Sequence, residues 1–321
     1  METIEELEQF LGEVTADGVR GQLLNRGTAW SLIRQDGVLP EDAPPLGAAI
    51  ETDLAEYGFS LLRAALALRE RQGPNETSRR GFERAARAFE SLVQNDSPES
   101  VDNGFFRVIA AAAYHLASYS AIAFSLLNQS ADGANTNAAE SALSLLILRD
   151  LNGLRALTRE WLNDETHGDD AVTEILENED DEGDEEEAYS IILNSTVCRA
   201  LSYFDFALQT GEGGLVESAK ALLATGQRLA ADAGAVTLWW VIRLCQNFID
   251  DLWQHSLHQK LPLVSPNGGE QNYPALRSQF LASLYARKIS EVELWPSQIE
   301  AAERSTDLND DLIVALPTSA G

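Results

Sequence analysis

Between Phe82 and Val93 the apolar residues Phe82, Ala85, Ala86, Phe89, Leu92 and Val93 recur at i, i+3, i+4, i+7, i+10 and i+11. That spacing places them on one stripe of an α-helix. Arg80, Glu83, Arg84, Arg87 and Glu90 take the opposite face, where Glu83 and Arg87 form a favourable i,i+4 pair. The same periodicity predicts helices at about 47–72, 101–127, 136–163, 188–210, 213–232, 235–258 and 275–287. Breakers separate them: "DGVLPEDAPPLG", "QGPN", "NDSP", "SADGANTN", "TGEGG" and "PLVSPNGGEQNYP". Short connections between long amphipathic helices favour antiparallel neighbours.

The stripe has an internal echo. Ala219, Leu222, Leu223, Gly226, Leu229 and Ala230 repeat the spacing found from Phe82 to Val93, and each helix follows another apolar helix after a Gly-containing turn. Small residues at recurring positions let helices approach closely, as in stacked helix pairs. The expected fold is therefore mostly α, built of antiparallel helix pairs stacked as a solenoid or packed as an irregular bundle. Phe82, Phe89, Leu92, Leu222, Leu223 and Leu229 are expected to be buried between helices.

One segment breaks the pattern. Asp164 to Glu187 holds 14 Asp or Glu and no Lys or Arg, half of a net charge of −28. At this density like charges repel, and few apolar residues offset the cost of ordering, which predicts a mobile solvated loop between two helical blocks. A charge mimic of nucleic acid, or a dock for a basic partner, is the functional alternative. So acidic a balance argues against broad contact with nucleic acid or an anionic membrane, while leaving room for a local basic patch. The most apolar run, Val108 to Leu127, is rich in Ala and Ser and carries His115 and two tyrosines, so a buried helix is expected rather than a membrane span. The acidic "METIEELEQF" lacks the layout of a signal peptide. Cys198 and Cys245, far apart in apolar contexts, read as buried thiols in a reducing, cytoplasmic setting.

Candidate chemistry is sparse before residue 290. His255 and His258 lie three apart and share a helix face, but no third metal ligand is evident beside Asp250 and Asp251. His115 reads as a core histidine, and the Trp239–Trp240 pair as helix packing. Seven arginines fall between Arg63 and Arg87, interleaved with Glu70, Glu76 and Glu83 and followed by Glu90, which favours a salt-bridged helix face over a nucleic-acid groove. No Ser-His-Asp or Cys-His nucleophile arrangement is present.

The last thirty residues or so change character. Leu294 and Trp295 precede Pro296, a good first-turn residue for the short helix "SQIEAAER". A polar turn leads into Leu312–Leu316, "LIVAL", the first strongly strand-like run in the chain. Pro317 ends it, and Thr318 to Gly321 enter a loop of small residues, the arrangement that aims backbone N–H groups at phosphates.

The run "LWPSQIEAAE…DDLIVALPTSAG" resembles the entry to the first motor domain of superfamily-2 helicases, particularly the superkiller-like branch. In that family a Gln in a "PxQ" element reads adenine, and a "PTxxGK(S/T)" phosphate loop follows. Gln298 matches the Gln, and Pro317, Thr318, Ser319, Ala320 and Gly321 match the loop as far as its last glycine. Leu316 stands where the family prefers Ala or Gly, and the Lys and Ser/Thr fall beyond Gly321. The resemblance implies the first strand of a truncated RecA-like domain at the C-terminus, with ATP and Mg as cofactors of the longer parent and no tight nucleotide binding by this piece. It also implies DNA or RNA as a partner through the motor domains.

A long helical N-terminal region ahead of such a motor is similar to the helicase subunit of the Hachiman antiphage defence system. That likeness implies bacterial antiviral defence and a nuclease-like protein partner. The expected organisation is a helical block at 1–163, the acidic loop at 164–187, a second helical block at 188–290 and the start of the motor at 291–321. The expected function is an accessory region that regulates the motor or docks a partner. The alternative is a stand-alone helical scaffold that binds protein without catalysis.

Overall fold

A computed structural model of the chain describes residues 3–16, 22–27, 48–95, 101–128, 137–177, 182–261 and 272–294, with isolated positions at 29, 263, 298, 301 and 304. The described residues are mostly helical. They fall into two compact units, Met1–Leu148 and Arg149–Gly321.

The first unit contains α1 (Ile4–Thr15), α2 (Ala48–Gln72), α3 (Glu76–Asn95), α4 (Val101–Leu116), α5 (Ser120–Asn128) and α6 (Ala138–Ile147). Thr3 and Glu6 close a capping box on α1, each accepting a hydrogen bond from the other's backbone N–H. Leu7, Leu11 and Val14 are buried on α1, which packs on α2 and α3, and Tyr57 donates to the Val14 carbonyl at 3.1 Å. Gly73, at φ 77°, turns α2 into α3, whose first turn is capped by Asn75 accepting from the Ser78 N–H at 2.8 Å.

The predicted stripe on α3 is fully or nearly fully buried, and Phe89 anchors an aromatic cluster. Its ring centroid lies 4.8 Å from that of Phe59 and 6.0 Å from that of Phe106, with Phe105 alongside. Edge and offset contacts of this kind add specificity to the burial of large apolar rings. Gly58 admits the Phe89 ring; a Cβ there would lie 2.7 Å from it. On α4, Ala110 to Ala113 are wholly buried, small enough for α3, α5 and α6 all to pack against that helix.

The second unit contains α7 (Leu151–Asn163), a 3₁₀ turn (Glu165–His167), α8 (Asp169–Glu177), α9 (Glu182–Thr210), α10 (Gly213–Asp232), α11 (Val236–His255), α12 (Leu257–Lys260) and α13 (Tyr273–Tyr285). Long α9 is its axis: α7, α8, α10, α11 and α13 all pack on it. Gly211, at φ 83°, turns α9 into α10, and Gly234, at φ 68°, turns α10 into α11. Ala219, Leu223, Gly226 and Ala230 are buried, whereas Leu222 and Leu229 are only half-buried at the edge of the stripe. Gly226 passes close to α9, where a Cβ would stand 3.0 Å from Thr196 Cγ2. The helix-pair echo thus corresponds to two real packings, α2 on α3 and α9 on α10, each continued by a third helix.

Several predicted boundaries are corrected. The helix predicted at 101–127 breaks at Ser118, which adopts φ 69°, and the Tyr119 N–H closes the end on the Tyr114 carbonyl at 2.8 Å. That is a left-handed helix stop of the kind glycine usually supplies. The helix predicted at 136–163 breaks likewise at Arg149, at φ 59°, after which Asp150 caps α7 by accepting from the Gly153 N–H at 2.9 Å. Helix α7, assigned from sequence to the first block, packs on α9 in the second unit.

The acidic segment, predicted as a loop, is largely helical where it is described: Glu165–His167 forms the 3₁₀ turn, Asp169–Glu177 forms α8 after a bend at Gly168, and 182–187 begins α9. Acids in a first helical turn favour the positive end of the helix dipole, which offsets part of their mutual repulsion. Among the described residues there is no strand, only an isolated antiparallel bridge between Ser256 and Glu293. The strand predicted at Leu312–Leu316 lies outside them. No helix among the described residues is long and apolar enough to cross a membrane.

Candidate functional site

Of the residues matched to the nucleotide-binding elements, Gln298 is described, helical and exposed, while Pro317, Thr318, Ser319, Ala320 and Gly321 lie outside the described residues. The structure describes the segment before Gln298 continuously as far as Leu294. The segment from α13 to Leu294 is fastened to the second unit by a polar clasp and a small apolar cluster.

Asp205, five residues before the end of α9, is the centre of the clasp. Its carboxylate receives Arg155 from α7 in a two-pronged ion pair, Nε to Oδ2 at 2.9 Å and Nη2 to Oδ1 at 3.3 Å. Tyr285, the last residue of α13, donates its hydroxyl to Asp205 Oδ1 at 2.5 Å, and Arg155 Nη2 also donates to that hydroxyl oxygen. The guanidinium lies over the Tyr285 ring, 5.0 Å from its centroid. Asp205 and Tyr285 are buried, so each polar atom relies on its partners rather than on water. The hydrogen bond to Asp205 holds the Arg155 guanidinium above its usual range, despite opposing desolvation. Burial, reinforced by the carboxylate, pushes the Tyr285 phenol up, so both stay in the protonation states the clasp needs at neutral pH.

Beyond Tyr285 the chain is tied down step by step. Ser290 Oγ donates to the Tyr285 carbonyl at 2.8 Å, the Glu291 N–H to the Leu284 carbonyl at 3.2 Å, and Asn152 Nδ2 to the Lys288 carbonyl at 3.0 Å. The Leu257 N–H donates to the Val292 carbonyl at 2.7 Å, and Arg149 Nε pairs with Glu293 Oε1, also at 2.7 Å. Leu257, Leu281 and Leu284 form an apolar cluster with Leu261 and Leu294 against it. Leu294 is four residues before Gln298 in the sequence.

Each histidine of the pair turns one ring nitrogen toward a backbone carbonyl. His255 places Nδ1 2.8 Å from the Asp251 carbonyl, while His258 sends Nε2 to the Leu208 carbonyl at the end of α9, at 2.9 Å. The left-handed turn at Gly211 makes room for the His258 ring, since a Cβ there would sit 2.5 Å from Nδ1. Burial lowers the His258 pKa, and the Arg277 charge adds to the effect. No metal-ligand cluster is present among the described residues.

Cys198 and Cys245 are both buried, and burial pushes the Cys198 thiol up to about 12, which leaves it unreactive. Trp239 and Trp240 meet edge to face at 5.0 Å within the helical packing, as expected. No known protein family and no curated protein matches the chain.

The clasp escaped sequence reading. Its visible trace was Asp205 inside "ALSYFDFAL", a lone acid between apolar residues, and nothing in the sequence paired it with Arg155 or Tyr285, 50 and 80 positions away. The expected salt-bridged face of α3 is present: Glu76 pairs with Arg79 and Arg80, and Glu83 pairs with Arg87.

Proposed function

We propose that this chain is the N-terminal accessory region of an ATP-dependent nucleic-acid helicase or translocase of superfamily 2, and that it regulates the motor or docks a partner subunit. The observation that carries the reading is the order Trp295-Pro296-Ser297-Gln298, then a strand-like run, then Pro317-Thr318-Ser319-Ala320-Gly321. The clasp supports it, because a segment feeding an adenine-reading Gln needs a fixed base and Leu257, Arg149 and Tyr285 supply one. On this reading ATP and Mg are cofactors of the longer parent, whose downstream residues complete the loop with a Lys charge and a metal-binding hydroxyl. Bacterial antiviral defence beside a nuclease-like subunit, in the cytoplasm, is the setting that the sequence likeness suggests. The alternative is a helical protein-binding scaffold without catalysis.

The test compares steady-state ATP hydrolysis by this chain with that by a chain continued through the natural sequence after Gly321. The short chain is expected to be inert, and the continued one to gain activity that DNA or RNA stimulates. Turnover by the short chain, or a continued chain inert with both nucleic acids, would overturn the proposal.

A further inference from the structure

Helix α8 carries an apolar stripe that its neighbours cover only in part. Val172 and Ile175 are half-buried, Leu176 is 50% exposed, and no residue of α8 is buried. An amphipathic helix ordinarily seats such a stripe against the core. Here a cleft of about 310 Å³ lies between the start of α8 and one face of α9. Leu162, Val172, Ile191 and Ile192 supply its apolar lining.

The polar groups at the same cleft are uncommitted. Arg199 on α9 and Asp169 in the first turn of α8 both line it. Neither side chain forms an ion pair or a hydrogen bond, with the other or with any described residue. Ser195, one turn before Arg199 on α9, lines the cleft as well. Trp161 Nε1 donates to Ser195 Oγ at 3.0 Å, which fixes that oxygen and leaves the hydroxyl proton to donate elsewhere. His167 stacks flat on the same Trp161 ring at 3.6 Å, so the opposite wall is held too. A cation and an anion that border one small cleft without meeting leave room for a group that meets both.

We infer that this cleft binds a small zwitterion with an apolar tail, a free apolar α-amino acid. The Arg199 fork and the Ser195 hydroxyl receive its carboxylate, and Asp169 receives its ammonium. Its side chain lies on the apolar lining. The volume falls at the small end of the roughly 300–1,000 Å³ range of ligand pockets, which selects a compact ligand. An apolar wall with a few placed polar groups is the usual make-up of such a site. A ligand here bridges α8 to α9 and covers the stripe that α8 leaves half-open. The inference is independent of the motor reading, since the cleft lies within the second unit and needs neither nucleotide nor nucleic acid.

The test is isothermal titration calorimetry of this chain with L-leucine, glycine and two one-ended analogues of leucine. These are 4-methylpentanoate, which lacks the ammonium, and 3-methylbutylamine, which lacks the carboxylate. L-Leucine is expected to bind saturably, and glycine, with no side chain for the apolar wall, not to bind. Each one-ended analogue should bind roughly tenfold or more weakly than leucine, because one charged partner is lost. Arg199→Gln and Asp169→Asn should each weaken leucine binding by a similar factor. Both positions are exposed, so these variants keep the fold, which circular dichroism checks. No saturable binding of leucine, or unchanged binding by either folded variant, would overturn the inference. So would 4-methylpentanoate binding as tightly as leucine, which would make the cleft a site for simple carboxylates. Glycine binding as tightly as leucine would also overturn it, by removing any part for the apolar wall. None of these outcomes bears on the hydrolysis assay.

Discussion

The two units share a plan and differ in what secures it. Each has a long helix that turns at a left-handed glycine, Gly73 or Gly211, into a 20-residue helix, which then packs on a third. The first unit is locked by aromatic packing, with Phe59, Phe89, Phe105 and Phe106 meeting around the close approach at Gly58. The second joins its apolar stripe to a buried polar centre, Asp205, that gathers α7, α9 and α13. Apolar packing is tolerant of partner, whereas a buried carboxylate accepts one geometry. The polar device fastens Tyr285 at the end of α13, ahead of the segment that the proposed function reads as the start of a motor.

The difference can be broken from either side. Phe89→Ala should have the largest effect, about 3–5 kcal/mol of lost stability in urea unfolding, because the ring is fully buried among three others. Asp205→Ala should cost about 2–4 kcal/mol, less than the cost of a fully buried ion pair broken on one side, since Arg155 keeps some access to water. Replacing all three members, Arg155→Met, Asp205→Leu and Tyr285→Phe, should cost less than Asp205→Ala alone, because no orphaned polar group remains. If the triple variant were the less stable of the two, the clasp would be a source of net stability rather than of specificity.

A smaller effect belongs to His258. Its folded pKa lies below the ordinary 6.5, so in the acid range the unfolded chain binds the proton more readily. Stability from this group is therefore present above about pH 6.5 and is lost as pH falls through and below that value. Thermal unfolding followed from neutral pH downward should show the loss, and His258→Gln should flatten it. An unchanged profile in the variant would assign the acid sensitivity to other groups.

The helices were legible because period 3.6 is a local signal, and Phe82 to Val93 follows it with only Ala88 as an extra apolar position. The ends were legible where glycine made them, at Gly73 and Gly211, and were missed where Ser118 and Arg149 took the same left-handed backbone. A non-glycine residue there costs roughly 1–2 kcal/mol, which only surrounding packing can offset, and packing is not local information. The helical state of residues 165–177 was missed for a related reason. Trp161 stacks on His167 at 3.6 Å and donates to Ser195 Oγ at 3.0 Å, so the start of the acidic run is held by contacts that charge counting does not register. For the site, Gln298 and the terminal loop were named through a resemblance alone, and the clasp was missed because its members lie far apart along the chain.

The central claim is that the segment after Leu294 begins an ATP-using motor, and Gln298 tests it most directly. In the chain continued through the natural downstream sequence, hydrolysis of ATP and GTP is measured with and without Gln298→Ala. A Gln amide pairs donor and acceptor with the adenine edge, so the variant should lose roughly tenfold or more with ATP and little with GTP. Equal losses with both nucleotides, or none with either, would contradict the account.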